Sequence, residues 1–217
     1  GVFGPAMTEY VMGWLLAIER DVISRASHTQ WTPSLEPRIT GKRLGIMGAG
    51  GIGAAIALAA KPFGLEVIGL NSDGRAVEGF AACYPSADRL VFAEGIDYLV
   101  SVLPQTAQTE NLIDHEVLTR LNPRAIVINA GRGNAVVEAD LIASLNAGHL
   151  RAAVLDVFRV EPLPPDDPLW STPGVHITSH TAGPTPDEAI AEVFEHNLKR
   201  YIAGEALTDA VQPGRGY

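Results

Sequence analysis

Cysteine is almost missing from this chain: of 217 residues only Cys83 carries a thiol. No intrachain disulfide is therefore open to it, and a cysteine-based zinc cluster is excluded. One free thiol suits a reducing compartment and a partly buried structural place better than a catalytic nucleophile. Basic residues are outnumbered, 16 Lys and Arg against 25 Asp and Glu, leaving a net charge of −9. That balance gives no broad positive field for nucleic acid or an anionic membrane, although local anion sites stay open. Long hydrophobic runs are lacking too. Residues 11–18 form an early apolar run that stops at Glu19, Arg20 and Asp21, short of the ~20 residues that span a bilayer. With neither a signal peptide nor a transmembrane helix legible, cytoplasmic placement is the expectation. Internal repeats and low-complexity segments are absent. The sequence also lacks an initiator methionine, opening at Gly1 and entering a helical pattern almost at once, as the interior of a longer polypeptide would.

What the chain does have is glycine in a telling place. Residues 42–60, KRLGIMGAGGIGAAIALAA, read as a short buried strand, a glycine turn and a helix whose apolar face runs through Ile52, Ile56 and Ala59. Within it Gly48, Gly50 and Gly53 have the G-x-G-x-x-G spacing. In such a turn the first glycine makes the bend, the second lets a pyrophosphate approach the backbone, and the third lets helix pack on strand. The helix N-terminus that follows then supplies free N–H groups to the phosphates. A plain small-residue strand-to-helix turn is the alternative, and the flanking strand and helix favour the dinucleotide site.

From residue 43 onward the pattern alternates. Strands are predicted at 43–47, 66–70, 98–103, 125–129, 152–157 and 176–178, and helices at 52–62, 114–121, 138–147 and 186–203, with a weaker helical region at 75–82. Near-continuous apolar strands such as Ala125-Ile126-Val127-Ile128 suit a parallel sheet covered on both faces. These features predict an α/β fold, a doubly wound Rossmann-type domain over residues 38–183. Residues 1–37 are expected to be a long helix (5–27) and a linker, and residues 184–217 a return helix and tail. The 5–27 helix has an apolar face of Tyr10, Val11, Trp14, Leu15, Ile18 and Val22 and no strand before it. It is expected to dock on another domain or subunit. The proline-rich run 160–168 is expected to be an ordered loop over the sheet edge.

Three further strand ends carry polar groups where an open sheet would face a ligand. Asn129-Ala130-Gly131-Arg132-Gly133 sets a guanidinium among glycines, suited to gripping a carboxylate. Asp156 stands five residues ahead of Glu161, and Ser179-His180-Thr181 ends the last strand with an imidazole. Each has an ordinary alternative: Arg132 as a surface turn residue, Glu161 as a solvated acid, His180 as a satisfied strand-end histidine. If they converge, Arg132 could bind a substrate carboxylate while His180 serves as an acid or base. A carboxylate at Glu161 beside that imidazole would favour its protonated form.

The run NAGRGNAVVEADLIASLNAGHLRAAVLDVFRVEPLP followed by DPLWSTPGVHITSHTAGPT resembles the signature region of the D-isomer-specific 2-hydroxyacid dehydrogenases. With DDPLW, EAL before the tail and a final RGY, it is most similar to the glyoxylate/hydroxypyruvate reductase A branch. The resemblance implies a substrate-orienting role for Arg132, a supporting acid in Glu161 and an acid/base role for His180. It also implies a cofactor cradle of Gly48, Gly50, Gly51, Ile52, Gly53, Leu103, Pro104 and Ala130, with Asp156 near the nicotinamide. Arg159 is a departure, standing where many members carry glutamate. Family members have a substrate domain ahead of the long helix, so the resemblance implies a fragment in which residues 5–27 and 186–203 cross between domains, with little activity alone. A two-fold homodimer around the first helix, with Trp31 reaching a neighbouring site, is implied as well.

The implied reaction is hydride transfer from NADPH or NADH to a small 2-oxo acid such as glyoxylate or hydroxypyruvate. A phosphoglycerate-type dehydrogenase and a non-catalytic dinucleotide-sensing module are the alternatives. Asn71 bears on the cofactor: it lies 18 residues beyond Gly53, close to where an NAD enzyme places an acid for the ribose 2′-hydroxyl. An uncharged side chain there, followed by Ser72 and Arg75, predicts room for a 2′-phosphate and hence NADP, with Asp73 as the opposing sign.

Overall fold

The computed structural model describes residues 2–33, 35, 37–185, 187–208 and 210. The RGY ending and Pro186, the predicted start of the last helix, lie outside them. A seven-stranded sheet forms the centre, in the order β3-β2-β1-β4-β5-β6-β7 with every pair parallel. In chain order the elements are α1 (Gly4–Glu19), α2 (Val22–Ala26), β1 (Arg43–Met47), α3 (Gly51–Ala60), β2 (Glu66–Asn71), β3 (Ala82–Pro85), α4 (Arg89–Ala93), β4 (Tyr98–Ser101), α5 (His115–Arg120), β5 (Ala125–Asn129), α6 (Glu138–Asn146), β6 (Leu150–Leu155), β7 (Val175–Ile177) and α7 (Asp187–Ile202).

Alternation along the strands divides the core. In β5, Ile126 and Ile128 pack into one layer with Val11 and Leu15 of α1 and Ile56 of α3. Ala125 and Val127 face the other layer, with Phe92, Val117, Leu118 and Leu141 of α4, α5 and α6. A strand whose side chains alternate sides, each covered by helices, must be apolar throughout.

Two expectations are corrected here. The predicted helix over 5–27 is broken, because Asp21 takes a left-handed φ of 50° between α1 and α2. Most of its apolar face turns inward as well: Leu15 is 0% exposed and α1 packs on α3 and the sheet, while Val22 in α2 stays 53% exposed. Trp14 lies 5.2 Å from the His176 ring, and Tyr10 Oη is 2.7 Å from Thr178 Oγ1. At the far end of α1 the buried Glu19 accepts from Lys42 Nζ at 2.6 Å and Arg151 Nη1 at 3.2 Å, pinning the helix to the segment leading into β1 and to β6. Two cations offset the cost of burying that carboxylate at an unfavourable helix C-terminus.

The weak helical region at 75–82 is not a helix. Gly79 there has φ 99°, and the chain runs on into the edge strand β3 and the short α4. Pro85, last in β3, needs no ladder N–H at an edge. Smaller shifts are that β4 stops at Ser101 and β6 spans Leu150–Leu155, two residues earlier at each end than expected. Among the described residues, no helix is long and apolar enough to cross a membrane.

Candidate active site

The sheet order reverses between β1 and β4, and loops at that carboxyl edge part to leave a crevice. A cleft of about 710 Å³ occupies it, lined by Gly48, Gly50, Gly51 and Ile52 on one side and Leu103, Pro104, Ala130 and Asp156 on the other. Gly48 needs its glycine, having φ 105° and donating its N–H to Leu70 O at 2.9 Å. A Cβ on Gly53 would sit 2.3 Å from Gly48 O, so helix and turn are in direct contact. Around Gly50 no atom comes within 4 Å of the place a Cβ would take, which is open room for a ligand. Helix α3 begins there without a side-chain cap, so its first N–H groups remain available to an anion. These features fit a bound dinucleotide, with the glycine turn at the pyrophosphate.

At the β2 end, Asn71, Ser72, Arg75 and Ser86 close the cleft. The Asn71 amide is engaged in shaping that turn: Nδ2 donates to Arg75 O at 2.8 Å and Oδ1 accepts from Gly74 N at 2.6 Å. Its part is therefore to hold residues 72–75, while the Ser72 hydroxyl and the Arg75 guanidinium line the cleft end, the latter paired with Asp73. Asp73 Oδ1 lies 3.4 Å from Arg75 Nη1.

Three turns meet at the other end. Arg132 stands exposed between two tightly packed glycines. A Cβ on Gly131 would fall 2.6 Å from Leu103 N and O, and one on Gly133 only 1.9 Å from Phe158 C. Its guanidinium donates to Gly131 O at 2.6 Å, and Asn129 closes the turn from Nδ2 to Arg132 O at 3.1 Å. His180 has a left-handed φ of 56°, and its Nδ1 meets Glu161 Oε2 at 2.8 Å. Glu161 Oε1 accepts the Phe158 N–H at 2.9 Å. Partial burial alone would raise the Glu161 carboxyl, but hydrogen bonds from His180 and Phe158 and the nearby charges of His180 and Arg132 hold it below the usual carboxylate range.

Asp156 is 1% exposed and acts as the anchor of the His180 turn. Its Oδ1 accepts from Thr178 Oγ1 at 2.5 Å and Thr181 N at 2.9 Å, and its Oδ2 from Ala182 N at 2.9 Å. Tyr10 of α1 completes this chain through Thr178. Burial, with the Asp156 charge adding to it against the Thr178 hydrogen bond, pushes the Tyr10 phenol up to about 12, so it stays neutral.

A second cleft, about 440 Å³, is lined by Arg132, Glu161, His180, Gln105, Glu110, Asn134 and Arg159. Arg132 and His180 line both clefts. The two spaces therefore meet at a guanidinium and an imidazole, with a carboxylate behind the imidazole. Sequence reasoning missed Ser86, Thr106, Gln108 and Thr109 of the larger cleft and Gln105, Glu110 and Asn134 of the smaller one. The polar run at 105–110, in the loop that follows β4, is a signal that could have found most of them. Phe3 and Met7, which also line the larger cleft, arrive from α1 by packing that no local pattern displays.

A doubly wound sheet with a glycine turn at its switch point defines a dinucleotide-binding domain of the Rossmann class. Residues 13–182 match the model of the D-isomer specific 2-hydroxyacid dehydrogenase, NAD binding domain. The chain belongs to the D-isomer-specific 2-hydroxyacid dehydrogenase family, whose members are NAD(P)-dependent dehydrogenases and reductases. The glyoxylate/hydroxypyruvate reductase A of Klebsiella pneumoniae is 36% identical over 222 residues, covering 99% of this chain and 70% of the relative. An NADPH-dependent glyoxylate/hydroxypyruvate reductase from Sinorhizobium meliloti, solved with NADP and sulfate, superposes with a TM-score of 0.90 at 32% identity, over 100% of this chain and 71% of that one. A probable 2-hydroxyacid dehydrogenase from Rhizobium etli, solved with NADP, HEPES and L(+)-tartaric acid, gives 0.90 at 30% identity, over 99% and 70%.

Proposed function

We propose that this protein reduces a small 2-oxo acid, glyoxylate or hydroxypyruvate, to the 2-hydroxy acid, with NADPH as the preferred reductant. The observation that carries the reading is the junction of the two clefts at Arg132 and His180. When bound along the larger cleft, the dinucleotide supplies a hydride. Arg132, without an ion pair among the described residues, holds the substrate carboxylate and polarises the adjacent ketone. His180 gives its proton to the oxygen that becomes the hydroxyl. Glu161, kept ionised, fixes the imidazole through Nδ1 and leaves Nε2 as the group that meets substrate.

Preference for the phosphorylated cofactor rests on Ser72 and Arg75 at the cleft end, and on an uncharged, already engaged Asn71 in place of an acid. The S. meliloti and R. etli relatives carry NADP in their structures. The test of the reading is His180→Ala in the whole gene-encoded protein. Turnover of the best 2-oxo acid should fall about a hundredfold or more, the scale of lost general acid catalysis, with cofactor Kd nearly unchanged. An unaltered kcat would remove His180 from the mechanism.

A further inference from the structure

We propose that Arg159 is a positioning residue of this site, locking the turn that carries Glu161 onto the turn that carries Arg132; the inference rests on the reductase reading above. The side chain lines the smaller cleft, yet its guanidinium is engaged on protein acceptors. Nη1 donates to Glu110 Oε1 at 2.8 Å. Nε donates to Val136 O at 3.0 Å, while Nη2 reaches Val136 O at 2.7 Å, Asn134 O at 2.9 Å and the Asn111 side-chain oxygen. The acceptors come from two segments, the loop after β4 and the chain just past Arg132. Arg159 itself belongs to a third, the turn leading to Glu161.

This junction is also where main chain meets main chain. Gly133 lies directly on the Phe158–Arg159 peptide, leaving no room for even a methyl group. Glu161 is fixed to that same turn by the Phe158 N–H, and His180 is fixed to Glu161. Order therefore passes from the guanidinium to the turn, from the turn to the carboxylate and from the carboxylate to the imidazole. A planar fork with five donors can serve acceptors in several directions at once. The three donors of an ammonium diverge from one atom and cannot replace it. Because Glu110 and the carbonyls already engage Arg159, it shapes the wall of the smaller cleft, and anion binding is left to Arg132.

The test measures kcat, KM and cofactor Kd on a panel of 2-oxo acids for the whole gene-encoded protein and for Arg159→Met, Arg159→Lys, Glu161→Gln and the Met/Gln double variant. Both single Arg159 variants should lower kcat/KM about ten- to hundredfold, as small misplacements of reacting groups do. Cofactor Kd should stay within twofold. The double variant should lose no more than Glu161→Gln alone, because residues acting through one another are not additive. An Arg159→Lys protein that folds but keeps full kcat/KM overturns the proposal, as do losses that multiply in the double variant. Should Arg159→Met fail to fold, Arg159→Lys paired with Glu161→Gln supplies the same cycle. His180→Ala in the same assay separates the two readings. Intact turnover there removes the proposed chemistry, whereas a silent Arg159→Met beside an inactive His180→Ala removes only the positioning role. No wild-type turnover across the panel overturns both.

Discussion

His180 sits in a left-handed backbone conformation that only a minority of non-glycine residues adopt, and the surrounding contacts hold it there. Its N–H donates to Asp156 O at 2.8 Å, and the Asp156 carboxylate takes the next two N–H groups, of Thr181 and Ala182. Glu161 then fixes the ring from the other side. Its depressed carboxyl gives a pH signature with a definite sign. A group that ionises more readily folded than unfolded adds stability above the unfolded value, about 4.3 for glutamate, and loses it as pH falls through the folded value. The melting-temperature gap between wild type and Glu161→Gln should therefore narrow as pH falls below about 4.3 and then close. Being 36% exposed, the side chain contributes modestly. A gap that widened as pH fell through that range would show that the carboxyl is held in its neutral form instead.

Among the elements, those with strong local patterns were legible and those made by distant packing were not. The apolar run of β5 and the glycine turn into α3 could be read directly, since periodicity and glycine spacing are local. β3, half exposed at the sheet edge, has neither an apolar run nor clean alternation, and the five-residue α4 is too short to show a helical period. The inward turn of α1 depends on Ile56, Leu44 and Val154, all remote in sequence. Likewise Arg132, Glu161 and His180 could be named from their strand ends, but Arg159 could not be assigned a place, because its acceptors lie on two other segments. The turn after β2 offers a test at this scale. With Asn71 holding its shape, Arg75→Ala should lower kcat/KM for NADPH about ten- to hundredfold, the worth of one charge-assisted phosphate contact, and leave NADH within twofold. Equal losses for both cofactors, or a wild type that prefers NADH, would place the 2′-phosphate elsewhere.

Over the whole molecule, the proposed chemistry lies at an edge of the sheet that is open on one side. The side chains of His180 and Glu161 are 51% and 36% exposed, and Arg132 is exposed as well. Helix α7 has no buried residue, and Ile190, Phe194, Leu198 and Tyr201 repeat along it at helical spacing, all exposed. Among the described residues nothing buries that stripe. Hydride and proton transfer to a ketone depends on excluding water and on holding substrate in place, and a half-exposed histidine and arginine achieve little of either. The glycine turn, the α3 N-terminus and the β2 turn that would hold a dinucleotide are by contrast all contained in these residues. A polypeptide of these 217 residues, purified alone, should therefore bind reduced cofactor, seen as a shift in nicotinamide fluorescence. Its turnover of glyoxylate or hydroxypyruvate should be about a hundredfold or more below that of the Klebsiella reductase assayed beside it, the scale attached to lost positioning. Comparable turnover would mean that the exposed groups already form a competent site and that the substrate is enclosed by residues of this chain.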